Sequence, residues 1–320
     1  MEVITIKDSQ TGSTAKIAPE LGLNCFEFLA RVDDFTVSVI DAAADFVEGK
    51  QSPSGHGIPI LFPYPNRIRG GRFSWEGKDY FLPPGKVACN KDNAIHGFCL
   101  DRPWRVTDRG KNFVTGEFHL SKDASDRRDL WPADFVLEVK YSLERTALTA
   151  DVRVTNPDSV PLPWGFGTHA YFKLPLGTKS DPARCLIEAP ASEQWELIDC
   201  LPTGKKRPIP KEIDLREGAY FDVLKLDDVL SGLPKEPGEI RSVIWDEAAG
   251  LQVEQVTDPI FQELVAYTPP GRNAVCLEPY TCVTDAINLR LKRDDTGWQV
   301  LQPGETWETR IVIQAGRIIV

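Results

Sequence analysis

Phe135-Val-Leu-Glu-Val-Lys-Tyr-Ser-Leu143 has large apolar side chains at every odd position and polar ones at positions 138, 140 and 142. After residues 144–147, the run Leu148-Thr-Ala-Asp-Val-Arg-Val154 has the opposite phase, with apolar side chains at even positions. Successive side chains of a strand point to opposite faces, so each run predicts a strand with one buried face. Together the two runs predict an antiparallel hairpin with a four-residue loop at 144–147.

The same alternation recurs along the whole chain. Further runs lie at residues 2–6, 14–17, 113–120, 186–188, 251–256, 263–267 and 307–313. Helical patterns are short and few, at residues 125–131 and 227–233, and no repeat or linker marks a domain boundary. The sequence therefore predicts an all-β fold, a single large antiparallel β-sandwich with few short helices, as one domain over residues 1–320.

Composition and charge argue against several classes of function. The chain has 37 Lys and Arg against 47 Asp and Glu, so a nucleic acid would bind against a net charge of −10. No stretch reaches the roughly 18 apolar residues of a membrane span, and the N-terminus does not resemble a signal peptide. The seven scattered cysteines favour reduced thiols over disulfides. We expect a cytoplasmic protein without nucleic-acid or membrane partners; the sequence leaves monomer and homodimer open.

A histidine between glycines and aromatics is the first candidate for chemistry. His169 lies in Pro163-Trp-Gly-Phe-Gly-Thr-His-Ala-Tyr-Phe-Lys-Leu-Pro175 and is one of only four histidines. In an extended chain it shares a face with Gly167 and Tyr171, which leaves open space beside the imidazole. Taken alone, the segment fits a core histidine bonded to a carbonyl equally well.

An Asn-Arg pair follows a proline-rich break. The apolar run that begins at Gly57 is interrupted by Pro63 and Pro65, and Asn66 and Arg67 come next. A guanidinium held in a rigid loop offers several donors in a fixed fork, which suits recognition of oxygen atoms. Farther along, Arg69 and Arg72 are expected to be solvated, and residues 73–80 predict a hairpin that turns at Glu76-Gly77.

A carboxylate on an apolar strand is the third candidate. In Ala274-Val-Cys-Leu-Glu-Pro-Tyr280, Glu278 shares a face with Cys276, and Pro279 is expected to end the strand. A buried carboxylate without a partner or ligand is costly, so a functional role is favoured for Glu278. His96, before Gly97, is a weaker signal on its own. A carboxylate base and a histidine acid, with no evident nucleophile or cofactor, favour a proton-transfer isomerisation.

Several short motifs in this order resemble the aldose 1-epimerase (galactose mutarotase) family. They are Asn66-Arg67-Ile68, His96-Gly97, Thr168-His169-Ala170-Tyr171-Phe172, Leu226-Asp227-Asp228 and Leu277-Glu278-Pro279 with Thr284-Asp285-Ala286-Ile287-Asn288. The resemblance covers roughly residues 57–290 and implies a galactose mutarotase-like supersandwich with an open sugar cleft. It also implies an isomerase that interconverts the anomers of a free hexose such as glucose or galactose, without a metal or organic cofactor.

The resemblance also implies the roles of individual residues. Glu278 corresponds to the general base, His169 to the general acid, and His96 is expected beside them in the catalytic group. The expected contacts to the sugar come from the four residues Asn66, Arg67, Asp227 and Tyr171. Asp228 competes with Asp227, because a shift of one residue reverses the strand face. One departure from typical members is Phe98, where a second glycine is usual.

The interconversion of anomers implied by the resemblance leads to one expectation about geometry and one about charge. His169, as an imidazolium, would face an ionised Glu278 across a gap the size of a pyranose ring. The acid would protonate the ring oxygen while the base takes the proton of the anomeric hydroxyl.

Three other functions compete with this one. A hexose-6-phosphate 1-epimerase would need arginines for the phosphate, and Arg69, Arg72 and Arg102 are available. A non-catalytic sugar-binding module would use some of the eight tryptophans as stacking surfaces. A metal site made by His56, His96 and His169 is the weakest alternative, since their spacing matches no metal motif.

Overall fold

The computed structural model describes residues 1–235 and 238–318, and most of its regular structure is strand. The first fourteen strands are β1 Ile4–Lys7, β2 Thr14–Ala18, β3 Asn24–Val32, β4 Phe35–Ser38, β5 Ile60–Leu61, β6 Arg67–Ile68, β7 Arg72–Trp75, β8 Lys78–Phe81, β9 Cys89–Asn90, β10 Asn93–Ile95, β11 Arg105–Arg109, β12 Phe113–His119, β13 Val136–Glu144 and β14 Ala147–Thr155.

The second half of the chain continues in the same way. Its strands are β15 Leu162–Trp164, β16 Gly167–Thr168, β17 Tyr171–Lys173, β18 Leu186–Glu188, β19 Glu193–Ile198, β20 Leu201–Pro208, β21 Ala219–Tyr220, β22 Asp227–Ser231, β23 Ile240–Asp246, β24 Leu251–Thr257, β25 Glu263–Tyr267, β26 Ala274–Tyr280, β27 Gln299–Leu301 and β28 Thr306–Arg317.

Helices are short. The α-helical turns are α1 Leu120–Asp123 and α2 Ala286–Leu289. The 3₁₀ turns are Pro19–Leu21, Phe46–Glu48, Pro53–Gly55, Arg69–Gly71, Ser125–Leu130, Pro182–Arg184, Lys211–Ile213 and Phe221–Val223. Within residues 1–235 and 238–318, no helix is long and apolar enough to cross a membrane.

Two large antiparallel sheets form the sandwich. One has nine strands in the order β11-β12-β13-β14-β28-β24-β23-β18-β21. The other has eight, in the order β20-β19-β22-β25-β26-β16-β5, with β17 also paired to β26. A buried bond joins them, because Gln255 Nε2 of β24 donates to the carbonyl of Leu277 on β26 at 2.9 Å. The predicted all-β antiparallel sandwich is therefore confirmed.

The hairpin that decides the fold has a tighter turn than predicted. Strands β13 and β14 remain paired up to Glu144 and Ala147, so the loop consists of Arg145 and Thr146 alone. Arg145 has a left-handed backbone, with φ of 54°, which lets two residues reverse the chain in the sense of the strand twist. The predicted four-residue loop is wrong for that reason. The hairpin at Glu76-Gly77 is as predicted.

The helical pattern predicted at 227–233 is also wrong. Asp227–Ser231 is strand β22, paired with β19 on one side and β25 on the other. Val229, Leu230 and Ser231 are all buried in succession, so exposed and buried side chains do not alternate in this part of the strand. Strands covered on both faces have continuous apolar runs, which short sequence windows do not separate from a helical turn.

Strand β25 of the eight-stranded sheet contains a buried carboxyl group. Glu263, on β25, is 1% exposed, and its Oε2 accepts a hydrogen bond from Trp195 Nε1 at 2.9 Å. Burial raises the pKa of Glu263 from 4.5 to about 8.

The stability of the fold should therefore depend on Glu263. From pH 4.5 to about 8, folded Glu263 keeps a proton that the unfolded chain has lost, so stability falls as the pH rises. The slope from this group reaches about 1.4 kcal/mol per pH unit. We expect Glu263→Gln, which still accepts from Trp195, to remove this slope. Urea unfolding of both proteins across this window tests it: a difference that does not change with pH would contradict it.

Candidate active site

One face of the eight-stranded sheet forms the floor of a cavity of about 520 Å³, called here the central cavity. Residues that share this face alternate along β25 and β26: Val265 and Tyr267 on the first, Glu278 and Tyr280 on the second. Strand β26 continues through Pro279 to Tyr280, so the predicted stop at this proline is wrong. Pro279 pairs with Leu264 on β25, while on the other side of β26 the pairs with β16 and β17 are made by Tyr280 and by residues 274–276.

All seven residues predicted for the site line the central cavity. They are Asn66, Arg67, His96, His169, Tyr171, Asp227 and Glu278. They come from five separate places in the chain, and the fold brings them together. The cavity contains none of the eight tryptophans, all of which lie in the described part of the chain, so no indole stacks on a ligand there.

His169 and Glu278 touch. His169 Nε2 lies 3.3 Å from Glu278 Oε1, and the two residues are 7% and 1% exposed. The register explains the contact: Gly167 pairs with Tyr280 and Tyr171 with Cys276, which places His169 directly opposite Glu278. The expected gap of the size of a pyranose ring is therefore wrong, because cross-strand neighbours are too close for one.

Burial opposes charge on both members of the pair. Desolvation lowers the pKa of His169 from 6.5 to about 3, and it raises the pKa of Glu278 well above 4.5. Burial therefore favours a neutral imidazole and a protonated carboxyl group over the expected imidazolium and carboxylate. The pair still holds one proton in total, as the expected ion pair would.

Neighbouring groups fix the position of Glu278. The hydroxyl of Tyr280, two residues along the same strand face, donates a hydrogen bond to Glu278 Oε2. Tyr280 is missing from the sequence prediction, although the alternation that selected Glu278 also points to it. Both the tyrosine bond and the charge of Arg67 favour the ionised form of Glu278 against the larger effect of burial.

A stack of three planar groups holds His169. The ring of Tyr171 lies against the imidazole, with centroids 4.6 Å apart and planes 8° from parallel. The guanidinium of Arg272 lies 4.6 Å from the centroid of the same tyrosine ring. Arg272 donates to Asp41 Oδ2 at 2.6 and 3.0 Å and to the carbonyl of Gly55 at 2.7 Å. Tyr171 therefore orients the histidine as well as lining the cavity.

Sequence reasoning missed Arg272. It follows the turn Pro269-Pro270-Gly271, and no pattern in the sequence connects it with residue 171. Its positive charge adds to burial in lowering the pKa of His169.

A left-handed turn presents His96 to the cavity. The backbone of His96 has φ of 63° and that of Gly97 has φ of 76°. The His96 N–H donates to the carbonyl of Asn66 at 2.9 Å, and the ring lies edge-on to His169 with centroids 5.6 Å apart. Arg67 Nη1 donates to Asn66 Oδ1 at 2.7 Å. Burial lowers the pKa of His96 well below 6.5, so this imidazole is neutral.

The two adjacent aspartates of β22 have different surroundings. Asp227 lines the central cavity. Asp228 instead accepts a hydrogen bond from Gln194 Nε2 at 2.5 Å. The geometry therefore favours Asp227 as the residue available to a ligand.

The arginines considered for a phosphate lie elsewhere. Arg69 and Arg72 line a different cleft of about 1020 Å³, together with Lys292 and Arg293. Arg102 pairs with Asp126 at 2.9 Å. The predicted solvated role suits Arg69, whose side chain is 57% exposed even though it lies 3.5 Å from Asp285.

The proposed trio of histidines does not form a common metal site. His56 Nδ1 accepts the backbone N–H of Ala43 at 3.2 Å. Among the described residues, the one group of three or more potential ligands whose atoms all lie within 4.8 Å of one another consists of His169, Cys276 and Glu278.

Comparison with known proteins assigns the chain to a family. A family profile described as aldose 1-epimerase matches residues 30–314. The chain belongs to the aldose 1-epimerase family. The predicted resemblance is thus confirmed.

Proteins similar to this aldose 1-epimerase family member include relatives of low sequence identity. The uncharacterized protein YihR of Escherichia coli is 23% identical over 242 residues, covering 75% of this chain and 74% of YihR. Galactose mutarotase of Rattus norvegicus is 27% identical over 164 residues, covering 50% of this chain and 43% of that protein. A galactose mutarotase-like protein from Clostridium acetobutylicum superposes with a TM-score of 0.84 at 24% identity, covering 96% and 93% of the two chains. The likeness confirms the galactose mutarotase-like fold.

The turn at Gly97 should be intolerant of any side chain. A Cβ at Gly97 would collide with the carbonyl oxygen of Phe62, whereas one at Gly77, with a similar φ of 79°, meets no atom within 4 Å. Gly77→Ala should lose only the preference of glycine for this backbone, about 1–2 kcal/mol. We expect Gly97→Ala to lose about 1–3 kcal/mol more of the free energy of unfolding. Equal losses for the two variants in urea unfolding would contradict this close approach.

Proposed function

We propose that this protein is an aldose 1-epimerase that interconverts the α and β anomers of a free hexose, such as glucose or galactose, by acid–base opening and closure of the ring. The observation that carries the proposal is the contact of His169 with Glu278 on the floor of a cavity of sugar size. A proton donor and a proton acceptor, side by side and shielded from water, suit a substrate with two reacting oxygens close together.

The anomeric carbon of a pyranose meets this requirement. Its hydroxyl oxygen O1 and the ring oxygen O5 are bonded to the same carbon, C1. Two groups 3.3 Å apart can each reach one of these oxygens from the same side. In the proposed reaction Glu278 takes the proton of O1 while His169 Nε2 donates one to O5. The C1–O5 bond opens to an aldehyde, the C1–C2 bond rotates by half a turn, and closure on the other face gives the other anomer.

The one proton shared by Glu278 and His169 is sufficient for both ring opening and ring closure. In the free site it lies on Glu278, because burial favours two neutral groups. Transfer of this proton from Glu278 to His169 gives the carboxylate and the imidazolium that ring opening requires. Closure returns one proton to O1 and takes one from O5, so the enzyme ends with the proton count with which it began.

The other lining residues suit recognition of hydroxyl groups. Arg67 and neutral His96 stand beside the pair and are proposed to contact the oxygens on the ring side. Asn66 holds Arg67 in place, and Asp227 is proposed to accept hydrogen bonds from sugar hydroxyls. Developing negative charge near C1 would be stabilised by the guanidinium of Arg67.

A free sugar fits this lining better than a sugar phosphate. Apart from its histidines, the described lining of the central cavity has one cationic side chain, Arg67, and it also has Asp227. Arg69, Arg72 and Arg102, which a 6-phosphate would need, lie outside the cavity. Comparison of turnover on glucose or galactose with turnover on their 6-phosphates separates these two activities.

The acid and base should be indispensable for turnover. We expect Glu278→Gln and His169→Asn each to lower kcat by at least about 100-fold, since each removes one proton-transfer group. Polarimetry of a freshly dissolved pure anomer measures the rate. Glu263→Gln is the matched control, because it makes the same change in a buried carboxyl group of the neighbouring strand outside the cavity. Near-normal kcat in either site variant would remove the role assigned to that residue.

The pH profile should reflect the neutral pair. A second proton enters only near the lowered pKa of His169, about 3, and the last leaves only above the raised pKa of Glu278. Activity needs one proton on the pair, so kcat/KM is expected to fall on the acidic side only towards the lowered pKa of His169, about 3. The spontaneous rate is subtracted at each pH. An acidic limb of the profile centred near the ordinary histidine value of 6.5 would contradict the lowered pKa of His169.

A further inference from the structure

A third reactive side chain lies beside the acid–base pair. Cys276 precedes Glu278 by two residues on β26, so both side chains lie on the same face of the sheet. Its Sγ, a ring nitrogen of His169 and a carboxylate oxygen of Glu278 all lie within 4.8 Å of one another. All three side chains are at least nine-tenths buried. The proposed sugar reaction gives no role to this thiol.

These three atoms are the kinds that bind zinc. Imidazole nitrogen, thiolate sulfur and carboxylate oxygen are the usual protein ligands of Zn²⁺. On a tetrahedral ion with bonds of about 2.0–2.3 Å, two ligand atoms are about 3.3–3.8 Å apart. The 3.3 Å between His169 Nε2 and Glu278 Oε1 already matches this separation. The central cavity lies over the pair, which leaves room for water as a fourth ligand, as in zinc sites with an open position.

Charge balance favours a divalent ion over a monovalent one. The thiol of Cys276 and the carboxyl group of Glu278 each give up one proton when they become ligands. An ion of charge +2 replaces these two protons, so the net charge of the buried group does not change. The cost of burying an unpaired charge is thereby avoided. The thiolate selects a soft ion such as Zn²⁺ over Mg²⁺ or Ca²⁺, which prefer oxygen ligands.

The two nearby cations each have another partner. Arg272 is paired with Asp41 and separated from His169 by the ring of Tyr171. The guanidinium of Arg67 is bonded to Asn66.

We propose that His169, Cys276 and Glu278 form a binding site for Zn²⁺ that excludes the sugar. Metal binding itself does not depend on the proposed function. Its consequence does: an ion held by His169 and Glu278 occupies both the acid and the base, so Zn²⁺ inhibits turnover in competition with the sugar.

Cobalt provides a direct readout of the thiolate ligand. The full-length protein is freed of metal with a chelator and titrated with Co²⁺. We expect a near-ultraviolet charge-transfer band from a Co²⁺–thiolate bond, saturating at one ion per chain and lost when Zn²⁺ is added. Absence of this band in the wild-type protein overturns the site without any variant.

Two cysteine variants test whether the sulfur of Cys276 is the metal ligand. Cys276→Ser is expected to remove the band and weaken Co²⁺ binding at least about 10-fold, the least effect expected from losing a direct ligand. Cys89→Ser is the matched control, because Cys89 is an exposed thiol that lines the same cavity outside the ligand set. Circular dichroism checks that each variant is folded, and Cys276→Ala replaces the serine variant if that one is not. A band that survives in the folded Cys276 variant, or disappears in Cys89→Ser, overturns the assignment.

The activity assay distinguishes a failure of the proposed Zn²⁺ site from a failure of the proposed mutarotase activity. The rate of each protein with Zn²⁺ is compared with its own rate in chelator, and sugar concentration is varied. We expect reversible inhibition that is competitive with the sugar and weaker by at least about 10-fold in Cys276→Ser. If the chelated protein has no mutarotase activity while the cobalt band forms, the function fails and the metal site stands. If mutarotation is unaffected at Zn²⁺ concentrations that displace Co²⁺, exclusion of the sugar is wrong.

Discussion

The site depends on the register of β26 with the segment that contains β16 and β17. One residue of slip would turn every side chain of β26 to the other face and would place Glu278 in the core between the sheets. The register is fixed at both ends, where Gly167 and Tyr171 pair with Tyr280 and Cys276. Between these pairs His169 and Glu278 meet as cross-strand neighbours. Their contact therefore follows from the same pairing that holds the sheet together.

Much of this arrangement follows from alternation along single strands. The period of two is enough to place His169 on one face with Tyr171, and Glu278 on one face with Cys276. Alternation cannot supply the register between segments that are distant in the chain, because it says nothing about which residues are opposite. The expected pyranose-sized gap was wrong for that reason. The helical turn predicted at 227–233 is wrong for a different reason, because Val229 and Leu230 are both buried although they are consecutive.

The sequence also does not predict the protonation state of His169 and Glu278. A histidine beside a glutamate suggests an ion pair, but whether the two groups are charged depends on how much water the fold leaves around them. Here burial outweighs the hydrogen bond from Tyr280 and the positive charge of Arg67 on Glu278. In such surroundings each hydrogen bond is electrostatically stronger than in water, and the cost of an unpaired charge rises equally. A substrate that replaces the contact must therefore offer polar atoms to both partners.

The stack on His169 connects the site with the beginning of the chain. Among the described residues, the cavity lining starts at Ser52, so strands β1 to β4 contribute no side chain to it. Yet Asp41, just beyond β4, anchors the arginine that supports Tyr171, and the backbone N–H of Asp41 donates to the carbonyl of Tyr171 at 2.8 Å. Asp41 thus connects the first part of the chain with the site: without its carboxylate, Arg272 would lose its ion-pair partner, and Tyr171 would lose part of the support that orients the imidazole.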